Sequence, residues 1–395
     1  MKEYDVIVCG GGPAGVCGAI ASARAGAKTL LIEKKGCLGG IWTSGLLSWF
    51  LDIKEKSGII CEIMEELTKR GEGRRREYGP CFSANPEAVK LLLEEMCLNS
   101  GVEILLDTVV SDSFVENGEI KCIETVSKSG KETFEAKYFI DATGDGDLSY
   151  LSGCSYEIGN KDSKTQPMSL CALVTGIGGK EFDEYDNFIN PFGCKAKKLE
   201  DMEKAGINPS YKSPFFTRLH ENSPIFMAML NHEYDVLPTS NRDITKATIN
   251  ARKEINEIIN KLRSYGGVWK NLTLVATADS IGIREGRRIK GEYTLTHQDV
   301  LEGKKFDDAM CRVHFPMDVH ALNNKVDEDE AKKGRGKALP YDVPLRCAKT
   351  KDIKNLYTAG RCISGDFYAH SSYRVTGTAS VIGEYVGNYV ATHLK

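Results

Sequence analysis

The chain has 395 residues, 41% apolar and 27% charged, the proportions of an ordinary globular protein, and at about 150 residues per domain it predicts two lobes, or three. With 52 basic against 55 acidic residues, a formal net charge of −3 gives no general attraction for nucleic acid or an anionic lipid surface. Thirteen cysteines, an odd number with no two in C-x-x-C spacing, argue against a zinc ribbon, an iron–sulfur cluster, a thioredoxin-type pair and a secreted disulfide framework.

Tyr4–Cys9 is a β-branched run ending in glycines, the pattern of a buried parallel strand. Pro13–Ala25, rich in small residues, predicts a helix that starts at its proline, and Lys28–Ile32 the next strand. The unit occupies about 30 residues, as a βαβ unit should. Asn85-Pro86 opens a helix that runs to Asn99 and is stopped by Gly101, after which Val102–Leu106 returns as a strand. Val109–Glu116, Ile120–Ser127, Lys131–Glu135 and Lys137–Ile140 predict four short strands, with Asn117-Gly118 and Ser129-Gly130 as hairpin signals. From 156 to about 340 the βαβ rhythm is lost, and the polar helix Ile244–Leu262 is the clearest element. After Leu356 the opening style returns, with a strand over Leu356–Ala359 and a small-residue helix from Thr378 to His393. The expected division is a discontinuous lobe, 1–155 with 345–395, interrupted by a second lobe over 156–344. No signal-peptide pattern or membrane span is expected, since each apolar run is broken well short of the ~20 residues a bilayer requires. A reducing cytoplasm is the expected compartment.

Gly10-Gly11-Gly12-Pro13-Ala14-Gly15 fits G-x-G-x-x-G between a strand and a helix, and Glu33 ends the next strand. This is a dinucleotide fingerprint: glycines for a tight turn, close approach to pyrophosphate and helix packing, and an acid for the ribose. The doublet Gly39-Gly40 just beyond Glu33 lets the chain run beside a long extended ligand, which FAD needs and NAD does not. Ile140–Asp147 and Leu356–Arg361 repeat the grammar of strand end and glycine turn.

These four segments, in this order, resemble the FAD-dependent oxidoreductases of the glutathione-reductase-like superfamily. More narrowly, QPMSL (Gln166–Leu170), ADSIGIREGRRIKGEYTLT (Ala278–Thr296) and AGRCISGDFYAHSSYRVTGT (Ala359–Thr378) resemble the family of FAD-dependent oxidoreductases that includes many bacterial flavoproteins, with the heterodisulfide reductase flavin subunit a distant relative. The resemblance implies an α/β fold: a Rossmann-like FAD-binding domain with an inserted antiparallel meander, and a second, mixed α+β substrate domain. It places Gly10, Gly12, Pro13, Ala14 and Gly15 at the pyrophosphate, and Glu33 with Lys34 at the adenosine ribose. Gly39, Gly40 and Ser44 would follow the extended middle, Val109 or Val110 the adenine, and Ala142, Gly144 and Asp145 the ligand's core. Gly360 and Arg361 would approach the ribityl–phosphate portion. Gly377, Thr378 and Ala379 would face the flavin pyrimidine edge, where a helix N-terminus stabilises an anionic reduced ring.

Such a flavin moves hydride equivalents through its N5 atom, so the protein must hold a small-molecule substrate and manage protons. Arg284, Arg287 and Arg288 would share one side if they begin a helix, Arg284 is the first candidate among them for a substrate clamp, and Arg284 or Arg374 could serve as the acid of an alkene reductase. His370 and His320 are the candidate proton acceptors, with Asp318 placed to orient His320; His220, His232 and His393 lack such support. No His/Cys/Asp/Glu spacing signals a metal, so none is expected. Cys37 precedes the glycine doublet, but no cysteine pair follows, which argues against disulfide reduction. Trp42 and Trp49 are expected in the core, and Lys325–Lys337 as a solvated loop. One fingerprint implies no dedicated NAD(P)H domain, leaving oxygen, a quinone or a redox protein as electron partner. Oxidation of a C–OH or C–N bond is the expected reaction. An electron-transfer flavoprotein subunit and a flavin-dependent alkene reductase are the alternatives, and a homo-oligomer is left open.

Overall fold

The unbroken apolar run at the N-terminus forms β1 (Lys2–Cys9), with Val6 to Cys9 wholly buried, as a strand covered on both faces requires. This is seen in a computed structural model that describes residues 2–75, 81–190, 194–326, 328–331, 333 and 335–394. After a glycine turn, α1 (Pro13–Arg24) begins with proline at its first position, and β2 (Thr29–Ile32) pairs in parallel with β1. Next, α2 (Pro86–Asn99) is capped by Asn85, whose side chain accepts from the Glu87 N–H at 3.1 Å, and leads into β3 (Glu103–Leu105), parallel to β2.

The meander consists of β4 (Val109–Glu116), β5 (Glu119–Ser127) and β6 (Gly130–Asp141). Asn117 and Gly118 take φ of 54° and 74° in the first turn, the positive pair that matches strand twist in a tight hairpin. The two strands expected within 131–140 are one. No glycine or proline interrupts Lys131–Asp141, so β6 continues, antiparallel to β5 in its first half and parallel to β1 along Phe134–Asp141.

The second lobe is built on a four-stranded antiparallel sheet of β7 (Cys171–Thr175), β8 (Phe215–Arg218), β9 (Phe226–Met229) and a later strand. Between them lies α3 (Asn241–Tyr265), whose Ala247, Ala251, Ile255, Ile258, Ile259 and Leu262 repeat at helical spacing and are buried. The remaining strand, β10 (Thr273–Thr277), pairs with β7, giving the order β8–β9–β7–β10. Phe182, Phe216, Phe226 and Trp269 fill this lobe's core, which Trp49 joins, while Trp42 stacks on Phe50 at 4.0 Å in the core of the parallel sheet. Leu295, Val300, Val313, Tyr341 and Val343 also pack with the parallel sheet, although they lie within the 156–344 span. Of Lys325–Lys337, residues 327, 332 and 334 lie outside the described residues, and Glu328 is buried at the start of the turn Glu328–Ala331.

The chain then returns to the first sheet. β11 (Leu356–Thr358) pairs with β6 beyond the point where β5 leaves it, completing seven strands in the order β3–β2–β1–β6–β5–β4 with β11 beside β6. A short helix, α4 (Phe367–Tyr373), precedes α5 (Thr376–Thr392). α5 lies along α1 at a separation that only glycine permits: a Cβ on Gly383 would stand 1.9 Å from Ala14 O, and one on Gly387 2.2 Å from Gly18 O. Ser22 Oγ crosses the same seam to Gly387 O at 3.1 Å. No helix among the described residues is long and apolar enough to cross a membrane.

Because each of those Cβ atoms would meet backbone, the helices must separate to admit one. Gly383→Ala should destabilise the protein by about 1–3 kcal/mol, seen as a lower midpoint in chemical unfolding. An unchanged midpoint would show that the seam is slack.

Candidate active site

Three glycines of the β1–α1 turn are required for three separate reasons. Gly10 has φ +102°, and a Cβ there would lie 2.5 Å from Ala142 O. A Cβ on Gly15 would lie 1.7 Å from Gly10 O, so this glycine lets the helix close onto the turn. Gly12 is different: its φ is −72°, and no protein atom lies within 4 Å of where its Cβ would be. Its bare backbone faces open space at the N-cap of α1, where no side-chain cap satisfies the helix. Uncapped N–H groups at such an end attract phosphate.

Glu33 stands at the end of β2, 6% exposed. Its Oε2 accepts from the Gly11 N–H at 2.5 Å and its Oε1 from the Lys35 N–H at 2.9 Å. Burial raises its carboxyl above the ordinary value, and these two donors oppose the rise. Gly39 N donates to Gly11 O at 2.7 Å, docking the glycine doublet on the fingerprint.

One cleft of about 470 Å³ joins these parts. Gly10, Gly12, Pro13, Ala14, Glu33, Lys34, Gly40, Ser44, Val109, Ala142, Gly144, Asp145, Gly360, Arg361 and Ala379 line it, as does Val110. Gly15 and Gly39 do not; they shape the turns behind it, and a Cβ on Gly39 would meet the Thr43 side chain at 2.6 Å. Gly377 and Thr378 do not line it either, and their side-chain positions point elsewhere. A Cβ on Gly377 would strike Leu51 O at 2.5 Å, and Thr378 Oγ1 donates to the buried Asp52 Oδ2 at 2.7 Å. Thr376 takes their place, three residues before Ala379 on the same side of α5. Asn241, Ile244 and Thr248 of α3 also line the cleft, so the second lobe supplies one wall. No local pattern signals this: Ile244 and Thr248 read only as part of a polar helix, and Asn241 lies before its expected start.

The arginine cluster is not a helix. Gly282 and Gly286 interrupt it, and Arg288–Ile289 forms a strand paired with Tyr156–Glu157. Each arginine therefore finds its own partner. Arg284 Nη1 donates to Pro167 O at 2.6 Å and Ser169 Oγ at 3.0 Å, and its side chain does not line the cleft. Arg287 Nη1 donates to Asp145 O at 3.0 Å and Asp147 Oδ1 at 3.1 Å. Arg288 pairs with Glu285 and also donates to Gly365 O and Gly159 O. Arg361 pairs with Asp145 at the cleft. Arg374 lines the cleft too, its Nη2 donating to Asp318 O at 2.8 Å.

Neither expected histidine lines the cleft. His370, on α4, is wholly buried; desolvation and the charges of Arg288, Arg374 and Arg361 hold its imidazole neutral. His320 lies instead among Asp318, Glu328 and His232. Linear spacing did not signal that meeting, because His232 and Glu328 come from separate segments of the chain.

A glycine turn, an acidic strand end and a second glycine turn opening on one cleft define a dinucleotide-binding flavoprotein. The bare face at Gly12 and the uncapped helix end fit FAD; Glu33 would then hold the ribose, and Ala379 and Thr376 would stand at the opposite end. The profile of the family described as FAD dependent oxidoreductase matches residues 5–395, and the chain belongs to that family. It is similar to thiamine thiazole synthase of Methanococcus aeolicus, 28% identical over 152 residues, covering 36% of this chain and 55% of that protein. It is similar also to dihydrolipoyl dehydrogenase of Acholeplasma laidlawii, 30% identical over 224 residues, covering 53% and 62%. The chain thus spans less than two thirds of the length of these curated relatives. Among solved structures, a geranylgeranyl bacteriochlorophyll reductase-like protein from Thermoplasma acidophilum aligns with TM-score 0.52 at 13% identity, covering 100% of this chain and 78% of that one. A flavin-dependent brominase aligns with TM-score 0.54 at 13% identity, covering 99% and 80%. These likenesses are of fold.

Gly12→Ala should separate binding from folding. With no atom to strike and an ordinary φ, it should change the stability of the flavin-free protein by less than about 0.5 kcal/mol, yet lower FAD retention. Glu33→Ala should also lower FAD retention. Flavin absorbance per chain after gel filtration measures both, and full retention in either variant would contradict its assignment.

Proposed function

We propose that this protein is a dehydrogenase or oxidase of a small polar substrate, in which a C–OH or C–N carbon gives up hydride. FAD, when bound, supplies the two-electron redox chemistry. The observation that supports this reading is Arg374. Its side chain is 12% exposed and lines the cleft a few residues before Thr376 and Ala379. Asp318 grips one end of the guanidinium, through its carbonyl at 2.8 Å and its Oδ2 at 3.3 Å, while Nε has no hydrogen-bond partner. Burial lowers its pKa to about 10, which leaves it charged at neutral pH. A guanidinium fixed at the wall of the cleft is suited to a substrate carboxylate or other oxyanion. His370 sits one helical turn before it, and the Arg374 N–H donates to His370 O at 3.1 Å. The neutral imidazole thus packs behind the cation without adding a second charge. Oxygen, a quinone or a redox protein would complete the cycle.

The reading is tested by anaerobic bleaching of the flavin against hydroxy acids, amino acids, amines and sugars. At least one acid should bleach it, and Arg374→Gln should raise the KM for that acid about 10–100-fold, the loss of one charged hydrogen bond. No bleaching by the whole panel, together with rapid reduction by a ferredoxin or a partner flavoprotein, would replace this reading with that of an electron-transfer subunit.

A further inference from the structure

Three side chains from distant parts of the chain meet away from the cleft. His232 follows β9, His320 lies beyond the strand Ala309–Val313, and Glu328 opens the turn Glu328–Ala331. Their side chains are 0%, 10% and 4% exposed. Each offers one ligand atom, and these atoms all lie within 4.8 Å of one another. His232 Nδ1 is 3.4 Å from Glu328 Oε1, and His320 Nδ1 is 3.3 Å from Glu328 Oε2.

The cluster's own hydrogen bonds do not satisfy all of its polar atoms. Here His320 Nδ1 and Glu328 Oε1 are buried and make no hydrogen bond. Donors about 2.0–2.1 Å from a common ion in a tetrahedral site stand about 3.3–3.4 Å apart, a spacing to which ligand atoms already within 4.8 Å of one another can close.

The surroundings agree. His320 turns its other nitrogen, Nε2, to Asp318 Oδ2 at 3.3 Å, the outer carboxylate that commonly orients a ligating imidazole. The Ala321 N–H donates to Glu328 Oε2 at 3.2 Å. Tyr234 Oη donates to Ser210 O at 3.1 Å and so accepts from His232 Nδ1 at 3.3 Å, which leaves His232 Nε2, buried and without a hydrogen-bond partner, as the nitrogen with a lone pair to give. Tyr211 packs its ring 4.0 Å from that of His232 and 6.1 Å from that of His320, walling off water.

We propose that His232, His320 and Glu328 form a binding site for a divalent transition-metal ion. Two imidazoles and one carboxylate favour zinc, cobalt or iron over magnesium and calcium. The ion would fasten the segment that carries His320 and Glu328 to the antiparallel lobe. Through Asp318, which contacts both His320 and Arg374, it would also fix the guanidinium at the cleft. That last link rests on the reading of Arg374 above; the metal site itself does not.

The test uses the full-length, FAD-loaded protein, stripped with a chelator and titrated with Co²⁺. One Co²⁺ per chain by elemental analysis is expected, with ligand-field absorption to the red of the flavin band and displacement by Zn²⁺. Glu328→Gln and His320→Gln should each weaken binding by more than about 100-fold, and Asp318→Asn by about 10–100-fold, with FAD content and circular dichroism unchanged. Failure of the wild-type protein to bind Co²⁺, Zn²⁺ or Fe²⁺ stoichiometrically would overturn the proposal. So would binding that persists in all three variants. If a variant does not fold, the wild-type spectrum decides: thiolate-to-cobalt charge transfer would assign the ion to cysteines and overturn the site.

Discussion

The distance between the backbones of α1 and α5 governs the whole cofactor end of the molecule. Helices with ordinary side chains pack about 8–10 Å apart, whereas here Ala14 and Gly18 meet Gly383 and Gly387 with no room for a Cβ on either glycine of α5. The contacts advance together along both helices, so the two run parallel. Their N-termini therefore open on the same cleft, at Gly12 and at Thr376. Two positive helix ends side by side repel in the absence of an anion. A pyrophosphate-bearing ligand reaching both relieves that repulsion, so the packing that positions the site also creates its demand for negative charge.

Around this pair the polar groups are arranged as separate clamps rather than a single basic patch. The extended path of 281–290 sends Arg287 to Asp145 and Asp147 but Arg288 to Glu285, because successive side chains of an extended chain leave on opposite faces. Arg361 reaches Asp145 from the other side. The second glycine turn is thereby held by arginines from two segments. Gly286 permits this approach, since a Cβ there would stand 2.1 Å from Asp145 Oδ1. Breaking one member of such largely buried pairs strands the other.

How much of this was legible in the sequence depended on how local each cause was. The fingerprint turn, the capped start of α2 and the Asn117-Gly118 hairpin follow from backbone preferences of a few adjacent residues, and all stand where the sequence put them. β6 runs on through Ala136 because only a turn-forming residue would have ended it, and none stands between Lys131 and Asp141. The arginines looked helical by spacing alone, and the glycines that forbid it carried too little weight. Thr376 was missed for want of one step of helix rotation: Gly377 and Thr378 share its sequence neighbourhood but not its face. His232 and Glu328 were beyond reach, since only tertiary packing brings them to His320.

The seam between α1 and α5 also imposes an order on biosynthesis. The residues that would bind the cofactor's phosphates leave the ribosome long before the helix that braces them. Until Gly383 and Gly387 arrive, the apolar inner face of α1, with Val16, Cys17 and Ile20, lacks its largest partner. Contacts this distant along the chain form slowly, and exposed apolar surface in the interval invites aggregation. Between the synthesis of α1 and that of α5, the signature motif is therefore made and its binding site unbuilt.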